Sequence, residues 1–340
     1  MNILFIGQCN LGSTSRMRYE NIQNYFSADA NIFLIDTSEL INNIPRVHRS
    51  IGWRFKIGPL VKNINKVICS KIESNEIIFD LIWVEKGVFI YPSTVSFLKS
   101  RANVLVHFTP DPAFLYHKSR FFNKSISNYD HCITTKSFEL QEYNNFKCKN
   151  LILCTQGFDE QIHKSYYNFN EKIYDVCFIG HHEKNRETIL QSLIDNNISI
   201  LLAGIKWKKF VFNNRRNKNL HYLGHSVVGE NYAKAISSSK ISLGLLSKWI
   251  PEKHTTRTFE IPACGTALLT EYNEETATFF NSNEVLFYAN ENQIISIIQD
   301  QLKNSTSLSE ISNYGQIKVF NGNYSHSKIM NSLLDQVMKK

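Results

Sequence analysis

Short apolar runs alternate with helix-patterned segments along this chain, and the series starts twice. In the first half, strands are predicted at 2–7, 31–36, 80–84, 103–108, 130–134 and 151–154, with helices around 15–26, 55–73, 93–100 and 136–144. Alternation of this kind argues for a parallel sheet with helices on both faces. The pattern then restarts at Asp175-Val176-Cys177-Phe178-Ile179-Gly180, another apolar strand ending in glycine. A helix follows, with Ile189, Leu190, Leu193 and Ile194 at helical spacing. Further strands are predicted at 198–203, 220–223, 241–246, 267–270 and 285–288, and helices around 229–238, 256–264, 290–303 and 326–338. The polar, Asn-rich stretch 166–174 reads as the linker. The chain therefore divides into 1–170 and 171–322, two Rossmann-like α/β domains, with a last helix in 323–340 that can cross back to the first. Ligands of such sheets sit beyond the carboxyl ends of the strands, so the site is expected in a cleft between the domains.

The length of 340 residues suits two cores. No apolar run reaches the roughly 18–20 residues that span a bilayer, and the first residues read as a strand, not as a cleavable leader. A cytoplasmic protein is expected. The seven cysteines are scattered without a C-x-x-C pair, which argues against a disulfide framework or a zinc site. The formal charge of +8 fits a solvated basic surface, an anionic small ligand or an anionic membrane face. No zinc-finger, RRM-type or homeodomain pattern supports nucleic acid.

Three segments carry candidate chemistry. Gly7-Gln8-Cys9-Asn10-Leu11-Gly12-Ser13-Thr14-Ser15-Arg16 joins strand to helix, and Gly12 and Ser13 suit a tight turn and an N-cap that could hold an anion or a sugar hydroxyl; the alternative is a plain strand-to-helix turn. His107 and Asp111 stand at a strand's carboxyl end, where either could act as a general base; the alternative is a structural His beside a turn Asp. The densest segment runs His254-Thr255-Thr256-Arg257-Thr258-Phe259-Glu260-Ile261-Pro262-Ala263-Cys264-Gly265. The adjacent His181-His182 has no carboxylate spaced to complete a zinc triad, and no D-x-D occurs, so no metal site is expected.

The stretch RTFEIPACGTALLT resembles the signature of glycosyltransferases of the spore-maturation-protein (CgeB-like) group, near glycosyltransferase families 1 and 4. The segments DVCFIGHHEKNRETIL, YDHCITTKSFELQEY and QGFDEQIH resemble other blocks of that group, and in order and spacing the likeness covers most of 80–290. The resemblance implies a GT-B architecture, two Rossmann-like domains facing each other across a cleft, and a metal-independent sugar transfer. It implies that Glu260 accepts hydrogen bonds from the ribose hydroxyls of a nucleotide, which a two-oxygen carboxylate can do. Gly265 would end that helix, and Lys136 and Asp159 would face the cleft.

Glu252 stands eight residues before Glu260, the spacing of the family 4 glutamate pair, but without its glycine-rich surroundings. A donor diphosphate needs cations; Arg186, Lys206, Lys253 and Arg257 are the candidates, with Gly180 allowing close approach. The implied reaction moves a sugar from a nucleotide diphosphate sugar, UDP favoured, to the hydroxyl of a glycan, lipid-linked or other small acceptor. No separate cofactor is needed. A sugar-nucleotide epimerase, or a non-catalytic subunit of a polysaccharide-assembly complex, would use the same fold.

Overall fold

The computed structural model describes all residues except Leu11, Ala28, Asp29, Asn75, Glu76, Tyr116 and Lys340. It forms two compact units: Met1–Thr155 together with the chain from Ser327 onward, and Gln156–His326.

In the first unit, strands β1 (Asn2–Gly7), β2 (Asn31–Asp36), β3 (Phe79–Glu85), β4 (Ala102–Thr109), β5 (His131–Thr134) and β6 (Asn150–Leu153) form one parallel sheet in the order β2-β1-β3-β4-β5-β6. Helices α1 (Thr14–Phe26), α2 (Thr37–Asn42), α3 (Arg46–Phe55), α4 (Pro59–Glu73), α5 (Pro92–Ser100), α6 (Arg120–Ser125) and α7 (Leu140–Asn145) fill the connections. Both sheet faces are covered, which explains why the strands read as continuous apolar runs. Leu4, Ile6, Ile82 and Val84 face a core with Ile64 and Ile68 of α4. Ile3, Phe5, Leu81 and Trp83 face the other, with Ile22 of α1.

In the second unit, β7 (Tyr174–Ile179), β8 (Ile200–Ala203), β9 (Leu220–Tyr222), β10 (Ser239–Gly244), β11 (Ala267–Glu271) and β12 (Leu286–Tyr288) pair in parallel in the order β12-β11-β10-β7-β8-β9. Its helices are α8 (Lys184–Asp195), α9 (Lys208–Asn213), α10 (Gly229–Ser237), α11 (Arg257–Ala263), α12 (Thr276–Phe279), α13 (Ile294–Lys303) and α14 (Ser305–Asn321). The order of strands reverses between β1 and β3 in one sheet and between β7 and β10 in the other. These are the two points where crossovers diverge and leave a crevice. The last helix, α15 (His326–Met338), buries Met330, Leu333, Leu334 and Val337 against the first unit's β1–β3–β4 face.

The short helices α2, α6, α9 and α12 were not expected from the sequence, and three larger features also differ from the expectation. The helix expected over 55–73 starts only at Pro59, because Lys56 and Gly58 take positive φ (56° and 85°), and a separate helix, α3, precedes that turn. The stretch 166–174 is folded into the second unit. Tyr166 N donates to Ser237 Oγ, and Lys172, buried, donates from Nζ to Ser237 O (2.5 Å). Burial holds that lysine down to about 8. Phe158 N donates to Tyr324 O, so the second unit begins at Gln156 and not at 171. Helix α14 went unread because small residues interrupt its apolar stripe: Leu308, Ile311, Ser312, Gly315 and Val319 form its buried face.

Gly315 packs so closely that an added Cβ would stand 2.4 Å from the Glu284 carbonyl oxygen. Gly315→Ala is therefore expected to lower stability by about 1–3 kcal/mol. Leu334→Ala, which empties a fully buried site in the first unit, is expected to cost about 2–5 kcal/mol. Urea denaturation of each variant against the parent checks both.

Candidate functional site

At the carboxyl end of β7, two guanidinium groups meet. Arg186, on the first turn of α8, is 1% exposed. It pairs with the buried Glu183 (2.9 Å) and donates to the carbonyls of His181 (3.1 Å) and Leu245 (3.3 Å). Arg257, the first residue of α11, donates to the carbonyls of Ile179 (2.9 Å) and Leu245 (3.2 Å). Both guanidiniums lie near the Phe178 ring, at 5.7 and 5.8 Å. Burial, and after it the charge of Arg257, pull Arg186 down to about 10, against the support of Glu183 and Glu252. The cluster therefore carries two crowded cations. The Nε groups of both arginines are buried without a protein acceptor among the described residues.

The backbone is shaped around this pair. A Cβ on Gly180 would come within 2.7 Å of Arg257 Nη1. A Cβ on Gly204, whose φ is +135°, would stand 1.9 Å from the Gly180 carbonyl oxygen. Trp207, fully buried, donates from its indole to that same oxygen (2.8 Å). The loops after β7 and β8 are thus locked together, and Lys206 stands exposed beside them with φ +67°.

Glu260 lies on the first turn of α11, 9% exposed. Tyr232 of α10 donates to its Oε2 (2.6 Å), and His163 Nε2 is 3.9 Å from Oε1. The Asp159 amide donates to His163 Nδ1 (2.9 Å). In the neutral ring the proton is therefore on Nε2, toward Glu260. Upstream, His254 accepts from Gln156 N (3.0 Å) and bonds Glu275 through Nδ1, which fixes the approach to α11. At its other end Gly265, φ +64°, passes so near Ser165 that a Cβ would meet Oγ at 2.0 Å. Glu252 belongs to the loop 246–252, close enough to act electrostatically on Arg186.

The first unit holds a pocket of about 90 Å³ at the ends of β1 and β3, lined among others by Ser13, Trp53, Glu85, Lys86 and His117. Glu85 is buried and bound on both oxygens by Arg18 (2.7 and 2.9 Å), and Trp83 Nε1 also donates to it (3.1 Å). Ser13 caps α1, accepting from Arg16 N (3.2 Å); Gly12 turns the loop with φ +76°. Leu11, part of the same expected loop, lies outside the described residues.

The structure corrects the acid–base expectation for His107. Its ring is fully buried, stacked 4.1 Å from Phe122, and bonds the Lys86 carbonyl through Nε2 (3.0 Å). Burial lowers it to about 4. A side chain sealed in the core cannot take a proton from a ligand. His117 by contrast lines the pocket, and its Nε2 is 3.3 Å from Asp111 Oδ2. Asp111 also pairs with Lys86 (2.6 Å). Burial raises its pKa, but Lys86, His117 and Lys136 outweigh this and hold it below the usual carboxylate range.

Other expected residues also find different work. Arg186 is walled in as the brace of two loop carbonyls. Asp159 caps the turn that follows it, accepting from Gln161 N (2.8 Å), and Lys136 is buried beside Asp111. The sequence reading missed His117, Lys86, Tyr232, His163, Glu183 and the Arg18–Glu85 pair. All seven cysteines are free thiols. Among the described residues no three His, Cys, Asp or Glu side chains gather as a metal site requires, and no helix is long and apolar enough to cross a membrane.

Residues 185–335 match the family model described as glycosyl transferase-like. The whole chain superposes on solved structures. HepE from Anabaena in complex with UDP gives a TM-score of 0.66 at 14% identity, covering 99% of each chain. Sucrose-phosphate synthase from Thermosynechococcus elongatus gives 0.67 at 12%, covering 99% of this chain and 98% of the other. AviGT4, a glycosyltransferase involved in avilamycin A biosynthesis, gives 0.57 at 12% with the same coverage. No curated protein matches the sequence. The two Rossmann-like units have the GT-B fold of these solved structures, and most of the second lies within the stretch that matches the glycosyl transferase-like model.

The buried His107 makes stability pH-dependent with a definite sign. Its folded pKa of about 4 lies below the ordinary 6.5, so the unfolded chain takes up the proton first. Its contribution is complete above pH 6.5 and is lost as the pH falls toward 4, on the order of 3 kcal/mol across the window. Melting temperature followed against pH is expected to fall less steeply in His107→Phe than in the parent over that range.

Proposed function

We propose that this chain transfers a sugar from a nucleotide diphosphate sugar, with UDP as the favoured nucleotide, to an acceptor hydroxyl of a cell-envelope polysaccharide or glycoconjugate. The observation that carries the reading is the crowding of Arg186, from α8, and Arg257, from the turn of α11 that also presents Glu260, at the β7–β10 crevice. Two like charges this close repel, and a bound diphosphate relieves the repulsion while accepting charge-assisted hydrogen bonds. Arg257 is the phosphate-facing cation, with Arg186 supplying field from behind it and the exposed Lys206 and half-buried Lys253 beside the strand ends. In this reading protein cations stabilise the leaving diphosphate in place of a metal ion.

Glu260, oriented by Tyr232, takes the ribose hydroxyls. Its remaining lone pairs and the adjacent His163 Nε2–H give it acceptor and donor capacity in one place. Glu252, near enough to act on Arg186, belongs to the donor side of the site. HepE, of similar fold, is solved in complex with UDP and glucose, which favours UDP here. The resemblance of the 257–270 segment supports kinship with the spore-maturation-protein group.

The first unit takes the acceptor. Its pocket combines apolar walls with His117, so His117 is the base, and Asp111, 3.3 Å from its Nε2, holds its ring and stabilises its protonated form. An acceptor carried on a glycan or a lipid fits the pocket's mixed lining. Work on such acceptors places the protein in the cytoplasm, in peripheral contact with an anionic membrane.

The test is thermal stability against UDP, GDP, ADP, CMP and dTDP. One nucleotide is expected to raise the melting point, by the equivalent of about 2.7 kcal/mol at a hundred times its Kd, and Glu260→Ala is expected to abolish the shift. No shift with any nucleotide would sink the donor site. With the donor identified, His117→Ala is expected to lower kcat by roughly 10²–10⁴ while leaving that shift intact.

A further inference from the structure

The chain's positive charge is not spread evenly. From Leu40 to Ser70 the sequence holds six Lys or Arg (Arg46, Arg49, Arg54, Lys56, Lys62 and Lys66) and no Asp or Glu, against a net charge of +8 for the whole protein. This stretch is α3, the Lys56–Gly58 turn and most of α4. Among the described residues, Arg46, Arg49, Arg54, Lys62 and Lys66 form no ion pair, so this charge is not neutralised within the fold.

The same elements expose large apolar side chains. Val47 is 70% exposed, Ile51 39%, Phe55 58% and Ile57 46%. Val47, Ile51 and Phe55 are spaced by four and therefore share one face of α3. The inner side of the helix is firmly seated: Gly52 lies so close to α4 that a Cβ would stand 2.7 Å from Leu60, and Trp53 packs edge-on against Phe89 at 4.8 Å. The outer stripe is thus a built apolar face on an anchored helix, with Arg54 beside it (5.4 Å from the Phe55 ring) and Lys62 and Lys66 exposed on the following helix.

We propose that the outer face of α3, with the basic residues of α4, docks this protein onto an anionic lipid bilayer. An apolar stripe flanked by unpaired cations matches a membrane interface, where the stripe enters the headgroup–acyl boundary and each cation gains from the surface potential. A nucleic acid would also meet the charge, but it offers nothing to a row of Val, Ile and Phe that carries no aromatic stacking ladder. A consequence rests on the transferase reading above: Trp53 of α3 and Ile64 of α4 also wall the pocket that holds His117. Docking through α3 therefore sets that pocket beside the lipid surface, and the acceptor class is a lipid-anchored hydroxyl compound.

The experiment is flotation of the full chain with vesicles of phosphatidylglycerol and phosphatidylcholine in equal parts, and of phosphatidylcholine alone. Two variants are compared, Val47→Ser/Ile51→Ser/Phe55→Ser and Arg54→Gln/Lys62→Gln/Lys66→Gln; all six positions are exposed, and melting points confirm folding. The parent is expected to float with the anionic vesicles only. Loss of three cations should weaken partitioning about fivefold per charge, roughly a hundredfold together, and loss of the stripe by at least about tenfold. An apolar variant that binds like the parent would reduce the interaction to charge adsorption and overturn the proposal. Failure of the parent to bind, or binding to an oligonucleotide but not to vesicles, overturns it as well. The nucleotide-induced melting shift, read on the same samples, separates the two ideas: vesicle binding without any shift keeps the docking face and removes the acceptor assignment.

Discussion

Two guanidinium groups sharing the Leu245 carbonyl and the Phe178 ring set the terms for the second unit. Buried like charges are tolerated only where geometry forces them together and counter-charge is at hand. Glu183 supplies part of that counter-charge to Arg186, and the carbonyl ends of β7 and β10 supply dipoles. The arrangement dictates local sequence. Gly180 has no side chain because Arg257 occupies that space, and Gly204 has none because the Gly180 carbonyl does. Trp207 then seals the loop from behind. Glycines, a buried tryptophan and two arginines separated by seventy residues are one construction.

The first unit repeats the architecture with the opposite electrostatic result. There too the glycine that ends the first strand makes room for a charged side chain: a Cβ on Gly7 would lie 2.9 Å from Glu85 Cβ. Glu85 is matched one to one by Arg18, which lies over Phe108 at 4.4 Å. A closed bidentate pair leaves no excess charge at the crevice, whereas two arginines against Glu183 leave a positive one. The same fold thus presents a neutral, partly apolar pocket in one domain and an anion-seeking crevice in the other. The transfer proposed above, from a charged donor to an uncharged hydroxyl, uses that asymmetry.

What the sequence disclosed follows from how local each signal is. Strands buried on both faces are continuous apolar runs, so all twelve fell at or near their observed places. Glu260 and Arg257 were legible because they share one helical turn inside an unusual apolar segment. Glu183, Tyr232 and His163 were not, since their roles exist only once strands distant in sequence are adjacent in space. Helix α14 escaped because Ser312 and Gly315 stand where leucines would have advertised it, and at Gly315 the Glu284 carbonyl leaves no room for a side chain.

The exchange of His107 for His117 shows how a correct motif can point to the wrong atom. A histidine at the carboxyl end of a strand faces either the crevice or a helix layer, and the backbone period of two decides which. His107 faces the layer, against Phe122 and Tyr129. There it binds the carbonyl of Lys86, a non-glycine residue held at φ +60° and followed by Gly87 at +55°. A left-handed pair of residues is strained unless its surroundings fix it, and the buried imidazole does so. Lys86 then reaches Asp111, and Asp111 reaches His117. The histidine that the motif names is therefore connected to the one that faces the pocket, through two residues whose order in space no spacing rule reveals. Its burial keeps it neutral and its one hydrogen bond in place, which is what a brace requires and a general base does not.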